Sequence, residues 1–397
     1  MTDQYKTRGS RISETYHNSQ ASIEMESLMN ACLIEAGALN KVAGYLEEQF
    51  YNRIQMVVDE HTYIAAGKEL ELKLRRHGLN VQITSIIANQ LGDVIADEVS
   101  LVQLIVDIQT HRADVVIAVG GGTLHDISRY AAYTSGLNFI SVPTAPSVDG
   151  FNSKGAPIII RGYKKTMVSI GPVAVFADLN VLVKAPQLMI AAGYGDILGK
   201  YTSLFDWKFG ALTYDEAYSE TSEIITRNAL QHCVNNTDLI AKRDEEGIAL
   251  LTRGLMESGV AMLLFGQSHP ASGAEHHLSH YWEMEYIKLG RKQLLHGAKV
   301  GCACIEIAHL YEQLYANKWG ERITSNPRIA EHWSGIMEQM SYIPQAAELQ
   351  ALLSRVGGPT HYSQLGFSEE LLIRSLKESY LVRPERYTLL HASNIEK

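Results

Sequence analysis

The stretch DVVIAVGGGTLHDISRYAA, Asp114 to Ala132, decides the fold of this chain because it joins a buried strand to a helix through glycines. Residues Asp114–Gly120 form a near-continuous apolar run, which is typical of a strand covered on both faces of a parallel sheet. The residues after the glycines carry helical spacing. A strand that passes directly into a helix in this way predicts one unit of an α/β fold.

Further apolar runs on both sides of this unit alternate with helix-length segments. The predicted strands are Arg53–Asp59, Asn80–Ile87 and Asn138–Thr144, and the helix-length segments are residues 67–78, 99–112 and 126–136. This alternation predicts a Rossmann-like, doubly wound parallel sheet. The next stretch, residues 156–182, predicts a hairpin and one more strand.

The pattern changes after Pro186, where long segments with helical spacing follow one another without a convincing strand. We therefore predict a domain boundary near Val183–Pro186. Residues 1–185 would form an α/β domain, with residues 1 to about 50 as an N-terminal extension, and residues 186–397 an all-helical domain. Residues 1 to about 25 are polar, and the sequence leaves open whether they form a helix or a loose extension.

The composition excludes several classes of protein. The chain has 397 residues, 46% of them hydrophobic and 20% charged, which is typical of a globular protein with a sizeable core. Its formal net charge of -9 argues against a nucleic-acid partner, which usually needs a basic face. The four cysteines form no CxxC pair, as in a reducing cytoplasm. We see no signal peptide and no apolar run near the ~20 residues of a membrane helix, and expect a cytoplasmic protein without a membrane span.

Three consecutive glycines, Gly120, Gly121 and Gly122, lie between the strand and the helix. Glycines let the backbone pass close to a pyrophosphate, and the positive end of the following helix favours its charge. An ordinary glycine-rich turn is the alternative, and the GxGxxG fingerprint of the Rossmann fold is absent. The position of the glycines between strand and helix favours a nucleotide site.

A second loop, SVPTAPSVDGFNSKGAP, follows the next strand. Its Thr144 and Ser147 can hydrogen-bond a phosphate or the nicotinamide end of a dinucleotide, and Asp149 could orient a substrate hydroxyl. A turn with a helix cap is the alternative. Asp59 ends the strand Arg53–Asp59, where a carboxylate can bind a ribose diol and favours NAD over NADP because it repels a 2′-phosphate. A simple polar residue at a strand end would look the same.

Three helical segments of the second half each carry a candidate metal ligand. Asp196 lies in AGYGDILGK, His276 lies in AEHHLSHYWE, and His296 begins another helix. A carboxylate and two imidazoles from separate helices could hold a divalent ion and leave a position open for a substrate oxygen. A helix cap, a turn residue and ordinary surface or core filler are the alternatives for the three. On a helix His280 shares the face of His276, whereas His277 points away.

Six segments, in this order along the chain, resemble motifs of the iron-containing alcohol dehydrogenase, glycerol dehydrogenase and dehydroquinate synthase superfamily, and within it those of the sn-glycerol-1-phosphate dehydrogenases. They are GGGTLHD, ISVPTAPSVDGFNS, GYGDILGKYTSLFDW, ASGAEHHLSHYWE, LLHGAKV and VRPERYTLL. Together the motifs are highly specific, and the resemblance covers residues 50 to 390. It implies an NAD-binding α/β domain followed by a helical domain that binds metal and substrate.

The resemblance implies roles for individual residues, with His277 as a bystander. The nucleotide contacts would come from the two loops: Gly122, Thr123, Leu124, His125, Asp126, Thr144, Ala145, Pro146, Ser147 and Ser153. The metal and substrate contacts would come mainly from the helices: Asp196, His276 and His296 for the metal, and Asp149, Asp196 and His280 for the substrate. Because glycerol dehydrogenases space these histidines by three, His277 leaves a shifted alignment open.

These roles lead to a hypothesis for the reaction, the reversible reduction of dihydroxyacetone phosphate to sn-glycerol 1-phosphate by NADH, with NADPH as an open alternative. One divalent ion per subunit would polarise the C2 carbonyl, and the resemblance to the bacterial branch favours nickel over zinc. His280 would protonate the alkoxide and Asp149 would hold a hydroxyl. Lys200, one helical turn after Asp196, is a candidate for the substrate phosphate, although an exposed helix lysine would look identical. The family also implies a homodimer or larger assembly.

Three other functions stay open at this point. A glycerol dehydrogenase would act on the unphosphorylated polyol. A lyase resembling dehydroquinate synthase would use NAD and a metal but return the cofactor unchanged, and its NFGHTFGHA-like helix is not evident here. A catalytically inactive binding protein would not be expected to retain all three candidate metal ligands.

Overall fold

The computed structural model of the protein describes residue 24 and residues 28–396. Six strands form one parallel sheet in the order β1-β8-β5-β4-β2-β3. They are β1 (Ala31–Glu35), β2 (Arg53–Val58), β3 (Asn80–Ser85), β4 (Val115–Gly120), β5 (Asn138–Pro143) and β8 (Ala174–Asp178). The predicted doubly wound sheet is confirmed, with strands slightly shorter than predicted. The prediction about residues 1 to about 25 lies outside the described residues, apart from residue 24.

The edge strand β1 was not predicted. Its sequence ACLIE is five residues long and partly buried throughout, so it carries no alternation that would separate it from a turn of helix. It pairs in parallel with β8, from Ala31 opposite Ala174 to Glu35 opposite Asp178. The sheet therefore begins inside the segment expected to be an N-terminal extension.

Helices cover both faces of the sheet. On β4, Val115, Ile117 and Val119 pack into one apolar cluster, and Val116 and Ala118 pack into another on the opposite face. This double burial explains why the strand reads as a continuous apolar run. The helices of this part are α1 (Val42–Glu48), α2 (Glu60–Thr62), α3 (Lys68–Arg76), α4 (Glu98–His111), α5 (Gly122–Thr134) and α6 (Leu179–Leu182), with a π-helical turn, Tyr63–Gly67, joining α2 to α3.

The predicted hairpin is present as a separate two-stranded sheet. Its strands β6 (Gly155–Ile160) and β7 (Tyr163–Val168) pair antiparallel. The two turn residues, Arg161 and Gly162, have φ angles of 51° and 79°, the left-handed pair that suits a two-residue connection. Lys164 of β7 pairs with Glu283 of a helix in the second half, so the hairpin connects the two parts of the molecule.

Every strand of the described chain lies before residue 179, and helices dominate the rest, as predicted. The helices are α7 (Gln187–Leu198), α8 (Lys200–Tyr214), α9 (Glu220–Asn235), α10 (Thr237–Lys242), α11 (Glu245–Phe265), α12 (Ala274–Lys288), α13 (His296–Ala316), α14 (Pro327–Met340), α15 (Ala346–Arg355), α16 (Glu369–Glu378) and α17 (Leu389–Ile395). Short 3-10 turns join several of them.

Helices α7 and α13 cross at glycines. A Cβ atom on Gly297 would lie 1.8 Å from the carbonyl oxygen of Ala192, and one on Gly195 would lie 2.4 Å from the carbonyl oxygen of Gly297. Only glycine, which lacks this atom, permits the approach. Because Asp196 follows Gly195 and His296 precedes Gly297, the crossing brings two of the predicted metal ligands together.

The helix α11 differs from the expectation that no apolar segment approaches the length of a membrane helix. It has 21 residues and contains a window of mean hydropathy 1.5, so it is long and apolar enough to cross a membrane by composition alone. In the structure 67% of that window is buried inside the protein. Its apolar residues pack against other elements of the chain, which explains their composition as that of a core helix.

Candidate active site

A cavity of about 590 Å³ lies between the carboxyl ends of the sheet strands and the helical part. Parallel α/β sheets bind ligands in this crevice because the strand ends and the following loops and helix N-termini face it. The predicted site residues that line it are Asp59, Gly121, Gly122, Thr123, Leu124, Asp126, Thr144, Ala145, Ser147, Asp149, Ser153, His276, His280 and His296. Most of the residues proposed from the two loops and the helices therefore share one cavity.

The three predicted metal ligands converge beside one end of the cavity, which His276 and His296 line, whereas Asp196 is fully buried and is not part of the lining. One ligand atom from each of Asp196, His276 and His296 lies within 4.8 Å of the other two, and this is the one such group among the described residues. The Asp196 Oδ1 atom is 3.6 Å from Nε2 of His276. The ligands come from α7, α12 and α13, so packing of three helices, rather than a local motif, assembles the group.

One further contact, between His276 and Glu275, prepares this group for a cation. The Nδ1 atom of His276 lies 2.7 Å from Oε1 of Glu275, which leaves Nε2 facing Asp196. A carboxylate on the outer nitrogen is the usual support for a metal-binding imidazole. Burial alone would raise the pKa of Glu275, but the hydrogen bond from His276 holds that pKa below its ordinary value. Glu275 was not identified from the sequence as a supporting residue. Its position directly before the candidate ligand His276 could have indicated this role.

The formal charges around the three ligands also fit a divalent ion. Asp149, Asp196 and Glu275 carry three carboxylates, all buried, and Lys200 is the cation that they surround. Three negative charges and one positive charge leave a formal charge of -2. Buried charge is costly unless it is paired, and an ion of charge +2 at the Asp196, His276 and His296 group would balance it.

The structure argues against the predicted role of Lys200. Its Nζ atom is fully buried and lies 2.7 Å from Asp149 Oδ2, 3.3 Å from Asp196 Oδ1 and 3.1 Å from the carbonyl oxygen of Ala271. Burial alone would lower the pKa of Lys200, but the carboxylates of Asp149 and Asp196 raise it above its ordinary value. All three N–H groups have acceptors, so none is left for a substrate phosphate.

The three histidines of AEHHLSHYWE lie in different environments. The ring of His280 lies 6.1 Å from that of His276 and 5.9 Å from that of His296, and it lines the cavity. Burial first, and then the charges of Lys164 and Arg383, lower the pKa of His280 well below its ordinary value. His277 is fully buried away from the cavity, and neither of its ring nitrogens has a hydrogen-bond partner in the structure. The helical spacing therefore separates cavity residues from a core residue as predicted.

The glycine turn lies against the second loop at the nucleotide end of the cavity. Gly121 precedes the first residue of α5, so the N-terminus of this helix faces the cavity. A Cβ atom on Gly122 would lie 2.9 Å from Cγ2 of Val148, and the amide of Thr144 donates to the carbonyl oxygen of Gly120. Helix N-termini of this kind favour phosphate groups.

Three of the proposed nucleotide contacts do not line the cavity. His125 is fully buried, with Nδ1 2.8 Å from the carbonyl oxygen of Gly121 and Nε2 2.8 Å from Oγ of Ser141. Both ring nitrogens are therefore engaged away from the cavity. Pro146 and Gly120 are also absent from the cavity lining, and the carbonyl of Pro146 faces Gly193 instead. These three residues shape the loops without touching the cavity.

Asp59 lines the cavity and also caps a helix. Its carboxylate accepts from the amide of Thr62, while the Thr62 hydroxyl bonds the Asp59 amide, so the two form a capping box. The cap, which the sequence analysis did not consider for Asp59, gives its carboxylate a structural role beside any contact with a ligand. One carboxylate oxygen is used by the cap, which leaves the other for a ligand.

A buried arginine that the sequence did not single out holds the loop after Asp149. The Nη1 atom of Arg129 donates to the carbonyl oxygens of Ser153 and Gly155 at 2.6 and 3.0 Å, and Nη2 donates to the carbonyl oxygen of Phe151 at 3.1 Å. A guanidinium has five donors in a rigid fork, which suits several carbonyls at once. The presence of an arginine among the apolar residues of α5 could have indicated this role in the sequence.

The comparisons with known proteins agree with this geometry. Residues 33–186 match the family model described as iron-containing alcohol dehydrogenase. The chain is 43% identical over 365 residues to the glycerol-1-phosphate dehydrogenase [NAD(P)+] of Geobacillus stearothermophilus, and the match covers 90% of each protein. The enzyme of the same name from Bacillus subtilis is 40% identical over 360 residues, 91% of this chain and 90% of that one.

This chain belongs to the glycerol-1-phosphate dehydrogenase family. The relative of that name from the archaeon Pyrococcus furiosus is 32% identical over 86% of both chains, so the resemblance to the bacterial branch of the family is confirmed. Among solved structures, a probable glycerol dehydrogenase from Sinorhizobium meliloti superposes with a TM-score of 0.67 at 17% identity, covering 91% of both chains. Glycerol dehydrogenase from Schizosaccharomyces pombe gives the same TM-score at 16% identity, covering 91% of this chain and 84% of that one. At these identities the superpositions support the fold alone.

Proposed function

We propose that this member of the glycerol-1-phosphate dehydrogenase family catalyses the reversible reduction of dihydroxyacetone phosphate to sn-glycerol 1-phosphate, with NADH or NADPH as the hydride donor. The observation that carries the proposal is that ligand atoms of Asp196, His276 and His296 lie within 4.8 Å of one another beside one end of the cavity. The glycine turn and the loop Thr144–Ser147, here called the TAPS loop, contribute to the other walls of this cavity. A metal-type ligand group beside a dinucleotide-type loop is the arrangement that a metal-dependent dehydrogenase needs.

When bound, a nicotinamide cofactor would supply the hydride, and a divalent ion held by Asp196, His276 and His296 would supply Lewis-acid polarisation of the carbonyl. The residues of the chain position the substrate and move the proton. The backbone at Gly121 and Gly122 and the side chains of Thr144 and Ser147 would bind the dinucleotide.

His280 and Asp149 are the proposed proton-handling and positioning groups. His280 lines the cavity beside both imidazole ligands, where its ring would pass a proton to the C2 oxygen directly or through water. The Oδ2 atom of Asp149 accepts from Ser258 at 2.8 Å and from Lys200 at 2.7 Å. These bonds fix the carboxylate, so its other oxygen would hold a substrate hydroxyl. Lys200 then acts by positioning Asp149 and Asp196.

Four finer properties follow from the family and stay proposals. We propose nickel as the ion, with zinc as the alternative, and NADH as the preferred donor because Asp59 would repel a 2′-phosphate. We also propose a homodimer or larger assembly, and a cytoplasmic location. Elemental analysis identifies the ion, and paired assays with NADH and NADPH measure the donor preference. Light scattering of the purified chain measures the assembly, and cell fractionation measures the location.

The test of the function follows NADH oxidation by the purified full chain with dihydroxyacetone phosphate, together with chiral assignment of the product. His296→Ala should abolish bound metal and turnover and leave NADH binding nearly intact, because the imidazole lies at the metal end of the cavity. His309→Ala is the matched control, since His309 is an exposed histidine on the same helix α13. Full turnover in His296→Ala would refute the metal assignment.

The alternatives predict different outcomes in the same assays. Faster turnover of dihydroxyacetone than of its phosphate would identify a glycerol dehydrogenase. Conversion of substrate without net NADH consumption would identify a lyase of the dehydroquinate synthase type. Neither metal nor turnover in the wild-type chain would leave a binding protein.

A further inference from the structure

The phosphate group of the proposed substrate needs donors, and the one cation chosen from the sequence is occupied. Lys200 is buried and already has three acceptors. Besides Lys184, which lies before α7, three other cationic side chains line the cavity and were not singled out from the sequence: Lys164 on the hairpin, Lys299 on α13 and Arg383 after α16. All three line the same cavity as His276, His280 and His296.

One carboxylate, that of Glu283, connects the two lysines. Lys164 donates to both carboxylate oxygens of Glu283, at 2.9 and 2.8 Å, and Lys299 donates to Oε2 of the same residue at 2.8 Å. Burial alone would raise the pKa of Glu283, but the two ammonium groups hold it below its ordinary value. Glu283 therefore fixes both lysines while it uses one donor of Lys299 and two of Lys164, so each ammonium keeps at least one N–H.

Hydroxyl groups hold Arg383 next to β7, the strand that carries Lys164. Its Nη1 atom donates to the hydroxyls of Ser268 and Ser272 at 3.0 and 3.2 Å, and its Nη2 atom lies 3.5 Å from Oγ1 of Thr166. Thr166 is two residues from Lys164 on β7, so the two side chains project from the same face of the strand. The three neutral hydroxyls orient the guanidinium without neutralising its charge.

The formal charge of this group matches a phosphate ester. Three cations and the carboxylate of Glu283 give +2, or +1 when Asp126, which also interacts with Lys164 and Glu283, is counted as ionised. A phosphate monoester carries between about -1.5 and -2 at neutral pH. The group therefore has opposite formal charge to the Asp149, Asp196 and Glu275 cluster. With a divalent ion balancing the acidic cluster, one substrate could direct its carbonyl oxygen to that ion and its phosphate to the cationic group.

We propose that Arg383, with Lys164 and Lys299 held by Glu283, binds the phosphate group of the substrate and selects it over the unphosphorylated polyol. This assignment rests on the function proposed above and adds the residues that determine its substrate. Arg383 offers a planar fork that binds two phosphate oxygens. The lysines come from the hairpin and from α13, so the bound phosphate would also join the two parts of the chain.

The experiment compares kinetic constants of Arg383→Met with those of the wild type, using dihydroxyacetone phosphate and dihydroxyacetone as paired substrates. We expect the KM for dihydroxyacetone phosphate to rise roughly 10- to 100-fold, the loss typical of a charge-assisted hydrogen bond. Metal content and NADH affinity should stay at wild-type levels, the KM for dihydroxyacetone should change far less than that for its phosphate, and Arg383→Lys should restore part of the loss. Inorganic phosphate should compete with substrate in the wild type and compete more weakly in Arg383→Met.

Two further variants keep the result interpretable. Lys164→Met tests the site from the hairpin if Arg383→Met fails to fold, and it should raise the same KM. Lys165→Met is the matched control, because it removes the same charge from the next position of β7, whose side chain is exposed on the other face of the strand. We expect wild-type kinetics for that control.

The outcomes separate this inference from the proposed function. A wild-type preference for dihydroxyacetone phosphate with an unchanged KM in both Arg383→Met and Lys164→Met would overturn the phosphate site alone. A weaker NADH affinity with an unchanged KM for substrate would assign the cations to the nucleotide and overturn it too. A wild-type chain that prefers dihydroxyacetone would overturn the proposed function and the phosphate site together.

Discussion

The three histidines near the start of α12 lie in three different environments. His276 contacts Glu275 and Asp196, His280 faces the cavity, and His277 is buried without a hydrogen-bond partner. Helical periodicity predicts that the first and last of these share a face. It cannot tell which face meets the cavity, because that depends on the helices packed against α12.

His125 provides a prediction about pH. Burial first, and then the charge of Arg129, lower the pKa of His125 to about 3, although its bond to Gly121 opposes this shift. The unfolded chain binds a proton near the ordinary value of 6.5, so stability is present above that pH and is lost as the pH falls toward 3. From this group alone we expect a loss of about 2 kcal/mol between pH 7 and pH 5.

The substitution His125→Gln tests this prediction because glutamine keeps a donor and an acceptor but does not titrate in this range. The free energy of unfolding, measured in urea at the two pH values, should depend less on pH in His125→Gln than in the wild type. The exposed His309→Gln is the control. An unchanged dependence in His125→Gln would contradict the buried, neutral histidine, and NADH affinity measured on the same variant checks that His125 does not contact the nucleotide.

At the scale of whole elements, glycines set the distance between α7 and the TAPS loop. A Cβ atom on Gly193 would lie 1.9 Å from the carbonyl oxygen of Pro146, so one of the two elements must move. Overpacking of this kind typically costs about 1–3 kcal/mol. For Gly193→Ala we expect a loss of stability of this size and a weaker NADH affinity, since Ala145 and Ser147 flank the displaced carbonyl and line the cavity.

Thermal unfolding and NADH titration of Gly193→Ala measure the two effects. Gly44→Ala is the matched control, because Gly44 lies in the helix α1 and a Cβ atom there would meet no other atom within 4 Å. Alanine is about 1 kcal/mol more favourable than glycine in a helix, so this control should be as stable as the wild type or more stable. Equal NADH affinity in Gly193→Ala and the wild type would show that the loop is not held by this contact.

The elements themselves differ in how well their sequences predict them. The strand β4 is covered on both faces, so its apolar run is visible in the sequence, and the hairpin is visible from the RG turn between two runs. The edge strand β1 has no such pattern, and only pairing with β8 makes it a strand. Similarly, the composition of α11 suggests a membrane-length segment, and only its packing identifies a core helix.

At the scale of the whole molecule, the proposed ion would join three helices. Removal of divalent ions with a chelator should abolish turnover and lower the thermal midpoint, because a ligand present at 100 times its Kd stabilises the folded state by about 2.7 kcal/mol. Readdition of a single metal should restore both, and the metal that does so most effectively identifies the ion. In His296→Ala the chelator should not shift the midpoint. Equal midpoints for the wild type with and without chelator would contradict an ion bound by α7, α12 and α13.

Some features of the candidate site are also predictable from local sequence, whereas others depend on the tertiary structure. Asp196, His276 and His296 were chosen from three separate motifs, and their convergence depends on the glycine crossing of α7 and α13. Lys200, His125 and Pro146 belong to the same motifs, yet their side chains face inward. Motif membership does not distinguish a residue that touches a ligand from one that supports it, since both are needed for the same geometry.

The sequence by itself determined the parallel α/β sheet, the helical second half, the family and the set of metal-type ligands, because these depend on periodicity and on motifs that are local in the chain. Only the tertiary structure decided which neighbours satisfy each buried charge. It assigned Lys200 to Asp149 and Asp196, and it brought Lys164, Lys299 and Arg383 to one wall of the cavity. The physical reason is that charges far apart in the chain interact only after the helices and the hairpin have packed.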